Sequence, residues 1–319
     1  MRKLLQSLPF LGIMLALFAF ESKKTVAIVT EDIDHFWAAY DGLAFAKTTE
    51  DSVSVFNRIY LGQASEGLKA YHDGDTTNLA LKYVENVNKY PKYWLSVRAM
   101  TLRAKAAKPA IDRVFDAYAS FIPQFRRTNV CFVIGFMNRG GTTDKEWIFV
   151  GTELMAADST VDKSELSDWQ KTFVGLGSGD LTQIVAHEAI HTQQISTLEP
   201  GFDSLLQSII DEGVADFIPH LALNLTINEK PFEYGYKNEC ALWQQLQADL
   251  PFENYENWLY NGDRIKDKPA DLGYFMGFRI AEAFYNQHAD KRKAINILLK
   301  SKNCATILLE SGYDGHCKK

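Results

Sequence analysis

Cysteine is scarce in this chain. Its four cysteines, Cys131, Cys240, Cys304 and Cys317, are spread over 319 residues with no C-x-x-C pair, which removes the usual framework of a thiolate zinc site. Gly/Ser/Pro-rich linkers, blocks of like charge and internal repeats are also absent. The simplest organisation is therefore a single domain over residues 21–319, with a helical N-terminal part (21–129) and a part carrying the candidate chemistry (130–319). The breaker-rich run Gly175-Leu176-Gly177-Ser178-Gly179 has neither a phosphate-loop nor a dinucleotide fingerprint. Basic residues are in deficit, 34 Lys and Arg against 40 Asp and Glu, for a net charge of −6. That balance argues against nucleic acid or an anionic membrane as a partner.

Long apolar runs are missing except at the start. Arg2 and Lys3 precede an apolar run from Leu8 to Phe20, with small Ala19 before Glu21. A basic n-region, a short apolar core and a small residue near its end read as a secretory signal over residues 1–20. The run is short for a bilayer span, so no membrane insertion is expected once it is removed; an uncleaved anchor is the alternative reading. Without Arg2 and Lys3 the charge of −6 becomes −8. Secretion, or release into a bacterial periplasm, permits disulfides, and Cys304–Cys317 is the expected pair. Buried free thiols are the alternative, above all for Cys131 in its apolar run.

The most informative stretch is Ile184-Val-Ala-His-Glu-Ala-Ile-His-Thr-Gln-Gln194, with Asp180 and Gln183 ahead of it as a capping box. Four residues span about one helical turn, so His187 and His191 can put two imidazole nitrogens on one metal ion. Glu188 leaves the helix about 100° round from His187, where a general base for an activated water belongs. A catalytic zinc site takes a third protein ligand. Gln194 and Thr197 stand where a metzincin would have glycine and histidine, which rules out that subclass. Ser204 to Ile218 reads as a second helix ending near Pro219. On it, Glu212 lies 21 residues beyond His191, far enough for the chain to return antiparallel. Asp216 is on the same face and can accept the free ring N–H of a metal-bound histidine. Asp216 is itself a competing ligand, as are Asp211 and His220, the last two weaker because one is turned about 100° from Glu212 and the other lies past the proline.

The pair His-Glu-x-x-His and Glu-Gly-x-Ala-Asp resembles the gluzincin class of zinc peptidases. More closely, the chain is similar to the bacterial family of predicted zinc-dependent proteases related to the gliding-motility lipoprotein GldB. Ile33-Asp-His-Phe-Trp37, Phe132 to Thr142, Phe149-Val-Gly-Thr-Glu153 and Gly273 to Ile280 carry the likeness beyond the zinc motif. The resemblance implies a zincin-like α+β fold, mainly helical, with a small sheet beside the motif helix. It also implies one Zn2+ per chain and a peptide or protein substrate.

Elsewhere the pattern is helical from Thr30 to about Ile122, with Leu95 and Leu102 among the apolar positions. It is interrupted at Pro91 and at Pro109, the latter near the start of a further helix through Val114, Phe115 and Tyr118. Val130–Phe136 and Trp147–Gly151 read as strands, either a hairpin or neighbours, with Arg139–Thr143 a loop between them. One of the two strands is a candidate edge for holding an extended substrate by backbone pairing. Tyr274, with Arg279 second, is the candidate donor to an oxyanion. Gly273 and Gly277 suit close backbone approach. Together these readings describe an exported zinc metallopeptidase with Glu188 as general base. Iron fits two imidazoles and a carboxylate too, but the built-in base favours the hydrolytic metal. The second reading is a non-catalytic cell-envelope assembly or chaperone-like protein on the same scaffold, which would have no physical need for Glu188.

Overall fold

The computed structural model describes residues 26–73, 77–175, 179–195, 204–300 and 303–317; the expected signal segment lies outside them. Acidic side chains at Glu31, Asp32 and Asp34 favour the start of α1 (Glu31–Gly42), whose Ile33, Phe36 and Trp37 turn inward. A reciprocal Thr48–Asp51 capping box opens α2 (Thr49–Ile59), and α3 is Glu66–Tyr71. Both prolines interrupt the helical stretch as expected, and each does so in the first turn of a new helix, where a missing N–H costs nothing. Pro91 is the first residue of α5 (Pro91–Thr101), after α4 (Leu79–Lys89), and Pro109 is the second of α6 (Lys108–Phe121). Phe36, Phe56, Tyr60, Tyr83 and Trp94 form one interlocked aromatic group with no exposure. Leu95 and Leu102 depart from the apolar expectation and face solvent.

Four strands make the sheet, in the order β1 (Ile28–Val29), β2 (Asn129–Val133), β4 (Trp147–Gly151), β3 (Gly141–Thr143). β2 and β4 are neighbours but parallel, and only β3 runs antiparallel to β4. The chain between β2 and β4 is thus a crossover with β3 inside it, and Arg139–Thr143 is not simply a loop. Neither expected edge strand is an edge: β2 and β4 are interior, and β1 and β3 are the two strands whose outer sides have no strand partner among the described residues.

The remaining helices are α7 (Thr152–Met155), α8 (Asp168–Phe173), α9 (Leu181–His191), α10 (Leu205–Leu223), α11 (Glu229–Asp249), α12 (Leu272–Gln287), α13 (Lys291–Lys300) and α14 (Cys304–Ser311). The α10 helix does not stop at Pro219 but runs one turn further, to left-handed Asn224. Helices α10 and α12 touch backbone to backbone. A Cβ on Gly213 would sit 2.0 Å from the Gly277 carbonyl carbon, and one on Gly277 1.8 Å from the Ile209 oxygen, so no larger residue fits at this crossing. The structure is mainly helical with a small sheet, compatible with α+β. Among the described residues no helix is long and apolar enough to cross a membrane.

The disulfide joins Cys240 to Cys317, not Cys304 to Cys317. Cys304, at the start of α14, lies against Gln207 of α10, whereas the turns at Gly312 and Gly315 bring Cys317 to Cys240 of α11. Cys304 is buried with its Sγ 2.8 Å from Gln207 Oε1, and Cys131 is likewise a buried free thiol.

Glu153 has no exposure, and its Oε2 lacks a hydrogen-bond partner. Burial pushes its carboxyl from 4.5 up to about 7, against backbone N–H groups of Gly135, Glu153 and Met137 that favour the charged form. A carboxyl with a raised folded value binds more protons in the native chain than in the unfolded one. Stability should therefore fall as pH rises from 4.5 to about 7 and level off above. At about 1.4 kcal/mol per tenfold the penalty is about 3 kcal/mol. Urea unfolding of zinc-free wild type and Glu153→Gln at pH 5 and pH 8 should show a decline larger in wild type by about that amount. Parallel pH dependence in the two would contradict it.

Candidate metal centre

The α9 helix carries both histidines on one face. Asp180 caps its start through Thr182 N (2.9 Å), but Gln183 does not complete a capping box, and its Oε1 is buried without a partner. The Tyr118 hydroxyl donates to Ala186 O (2.9 Å) and ties α9 to α6. His187 Nε2 and His191 Nε2 come within 3.0 Å of each other, and both are 3.3 Å from Glu212 Oε2 on α10. That oxygen is buried and has no hydrogen-bond partner. Three lone-pair donors at these separations match the edges of a tetrahedron around a cation about 2 Å from each, roughly 3.3 Å. The residues fit zinc.

The other ring nitrogens are held by neighbours. His187 Nδ1 lies 2.8 Å from Asp216 Oδ1, and Asn228 Nδ2 donates to Asp216 Oδ2 (2.6 Å). His191 Nδ1 lies 2.7 Å from Gln194 Oε1, whose Nε2 donates to Asp211 O (2.8 Å). With an N–H on each Nδ1, both Nε2 lone pairs turn to the centre. The Tyr260 hydroxyl donates to Glu212 Oε1 (3.0 Å) and leaves Oε2 for the ion. Burial drives the His187 imidazolium down, but Asp216 and Glu212 outweigh it and hold its pKa well above the ordinary value. Burial opposes the charge of His191 too, and Glu212 again prevails. Burial alone would raise Glu212, yet His191 and His187 bring it well below the usual carboxylate range. This pocket stabilises positive charge at its centre, whether protons or a metal supply it.

Glu188 is buried beside the cluster, outside the set of three donors. Burial raises its carboxyl pKa despite the opposing pull of His191 and His187. A Cβ on Gly141 of β3 would lie 2.3 Å from Glu188 Oε1. The edge strand and the candidate base are therefore in contact, and only glycine permits it. Gly141→Ala should displace the carboxylate and lower kcat/KM by about tenfold or more with zinc content unchanged. Wild-type kinetics in that variant would show that the position of Glu188 does not matter.

A cavity of about 520 Å³ opens over His187 and Glu188, walled in part by Gly141, Thr142, Tyr260 and Tyr274. The Tyr274 ring stacks on His187 with centroids 5.9 Å apart. Burial holds its pKa well above the ordinary value, so it stays an O–H donor. Residues 175–304 match the model of a family described as predicted Zn-dependent protease (DUF2268). The match includes both ligand helices and Tyr274, and it supports a zinc-protease-like family for this chain. No curated protein and no solved structure gives a significant match.

Of the residues singled out in the sequence, His187, His191, Glu212, Asp216, Glu188 and Tyr274 are brought together. Arg279 is not. Its Nε binds Glu239 Oε1 (2.7 Å), and it pairs further with Glu282 and His316. Five helical residues from Tyr274 are about 500°, which turns Arg279 some 140° away from the site. Asp211 and His220 are no ligands either, the latter packing on Phe278. Sequence reasoning missed Gln194, Asn228, Tyr260 and Gly141. Only Gln194 had a local signal, three residues after His191 on the same helical face.

Proposed function

We propose that the chain is an exported zinc-dependent metallopeptidase. The observation that carries this reading is the convergence of His187 Nε2, His191 Nε2 and Glu212 Oε2 beside a separate buried carboxylate, Glu188. The family description, predicted Zn-dependent protease, supports it. Bound zinc would supply Lewis acidity and bring the pKa of water toward about 7. Glu188 takes a proton from the attacking water and passes it to the leaving amine. Its raised affinity for protons suits both halves of that transfer. The Tyr274 hydroxyl, kept protonated, donates to the carbonyl oxygen as that atom gains charge. An extended peptide pairs its backbone with the free edge of β3, which sets the scissile carbonyl next to Glu188. Asp216 and Gln194 keep the histidine tautomers fixed throughout.

Incubating the zinc-loaded chain with a peptide library and reading new termini by mass spectrometry tests the reaction. Cleavage is the expected result. A zinc-loaded, folded chain that cuts nothing would favour the assembly or chaperone-like role. Export is supported by Arg2, Lys3 and the apolar run to Phe20. The intact mass of the exported chain should lack about the first 20 residues.

A further inference from the structure

Among the side chains that wall the candidate cleft, Arg139 is the single lysine or arginine, whereas Asp180, Glu188 and Asp271 are acids. None of these acids takes up its charge. Asp180 caps α9, Asp271 accepts the Asn261 N–H, and Glu188 lies against Gly141. Among the described residues no hydrogen bond or ion pair reaches the Arg139 guanidinium. Its backbone, in contrast, is fixed. A Cβ on Gly151 would meet the Arg139 carbonyl oxygen at 2.1 Å, and Gly151 N donates to the adjoining Gly140 O (2.8 Å). Arg139 also borders a second cavity, with Tyr71 and Phe136, and its charge acts on the Tyr71 hydroxyl there without a hydrogen bond to it. Arg139 thus stands just ahead of edge strand β3, two residues before Gly141, on the wall of the candidate cleft.

We propose that Arg139 forms a subsite for a carboxylate on the peptide substrate. A planar guanidinium that no hydrogen bond or ion pair reaches among the described residues is suited to bidentate capture of a carboxylate. In a peptide lying along β3 with its scissile carbonyl at Glu188, a group about two residues from the cut reaches Arg139. That group is either an acidic side chain or the C-terminal carboxylate. The inference rests on the peptidase reading for the direction of the substrate, but its test does not need turnover.

The test uses the zinc-loaded Glu188→Gln chain and fluorescein-labelled alanine hexapeptides. One series carries Glu or Gln at each position in turn, and another ends in a free acid or an amide. At one position, or at the terminus, the carboxylate member should bind about tenfold tighter or more than its neutral partner. Which pair responds distinguishes the side chain from the chain end. Adding Arg139→Gln should bring that ratio to about one, Arg139→Lys should keep part of it, and Arg139→Glu should favour a lysine peptide instead. A ratio near one in the parent, a ratio unchanged by Arg139→Gln, or no binding by any member overturns the subsite. Discrimination in binding by a chain whose wild type never cleaves would leave the subsite standing and remove the peptidase reading. Cleavage without discrimination would do the reverse.

Discussion

Replacing Glu188 with glutamine should reduce kcat by about 10²- to 10⁴-fold, the range general acid–base catalysis contributes, while zinc stays bound. Glutamine keeps the shape of the side chain but cannot take a proton from water. The three donors that converge are His187, His191 and Glu212, and Glu188 is outside that set. KM should change little, because in the proposed binding mode β3 and the cleft walls, and not this carboxylate, hold the substrate. Steady-state kinetics on any cleaved peptide, with metal analysis of the same sample, checks both halves. Loss of zinc together with activity would mean that Glu188 is a ligand. Retained activity would mean that the base lies elsewhere.

Removing zinc should cost stability as well as activity. A metal present at about a thousand times its dissociation constant stabilises the folded state by about 4 kcal/mol, and thermal unfolding with and without chelator reads that difference. Its pH dependence follows from the two histidines. Without metal, His187 and His191 hold protons above their ordinary value because of Asp216 and Glu212. Stability from those proton-bearing pairs is fully present below about 6.5 and is lost as pH rises through the folded values. Glu212, held below its ordinary value, contributes above about 4.5 and loses its share only in stronger acid. Zinc must displace the imidazole protons, so its binding strengthens over the range in which the metal-free chain weakens. The gap in unfolding temperature between zinc-loaded and chelated protein should widen from pH 6 to pH 8. A constant or narrowing gap would contradict protonated histidines in the metal-free site. Asp216→Asn, which leaves His187 without its charged acceptor, should weaken zinc binding by about 10- to 100-fold.

What could be read from the sequence was governed by local geometry. His187 and His191 are four apart, as are Glu212 and Asp216, and helical pitch turns those spacings into shared faces without knowledge of the rest of the chain. The step from α9 to α10 needed only one antiparallel return. Pro91 and Pro109 mark helix boundaries, and each begins a new helix. Arg279 shows the limit of proximity in sequence, since five residues on a helix point away where four would not. The edge strand Gly141-Thr142-Thr143 has no apolar alternation, and its pairing with β4 is a tertiary fact. The Cys240–Cys317 bond spans 77 residues and depends on where α11 and the C-terminal turn meet. Tyr260, 48 residues from the Glu212 it touches, had no pattern to announce it.

The central claim is that His187, His191 and Glu212 hold one metal ion. Elemental mass spectrometry of the purified chain, dialysed without chelator, tests it most directly. The account predicts about one zinc per chain in wild type and in Glu188→Gln, and far less in a folded His187→Ala, Glu212→Ala double variant. A folded wild-type chain that holds no zinc and takes none up when supplied would contradict it.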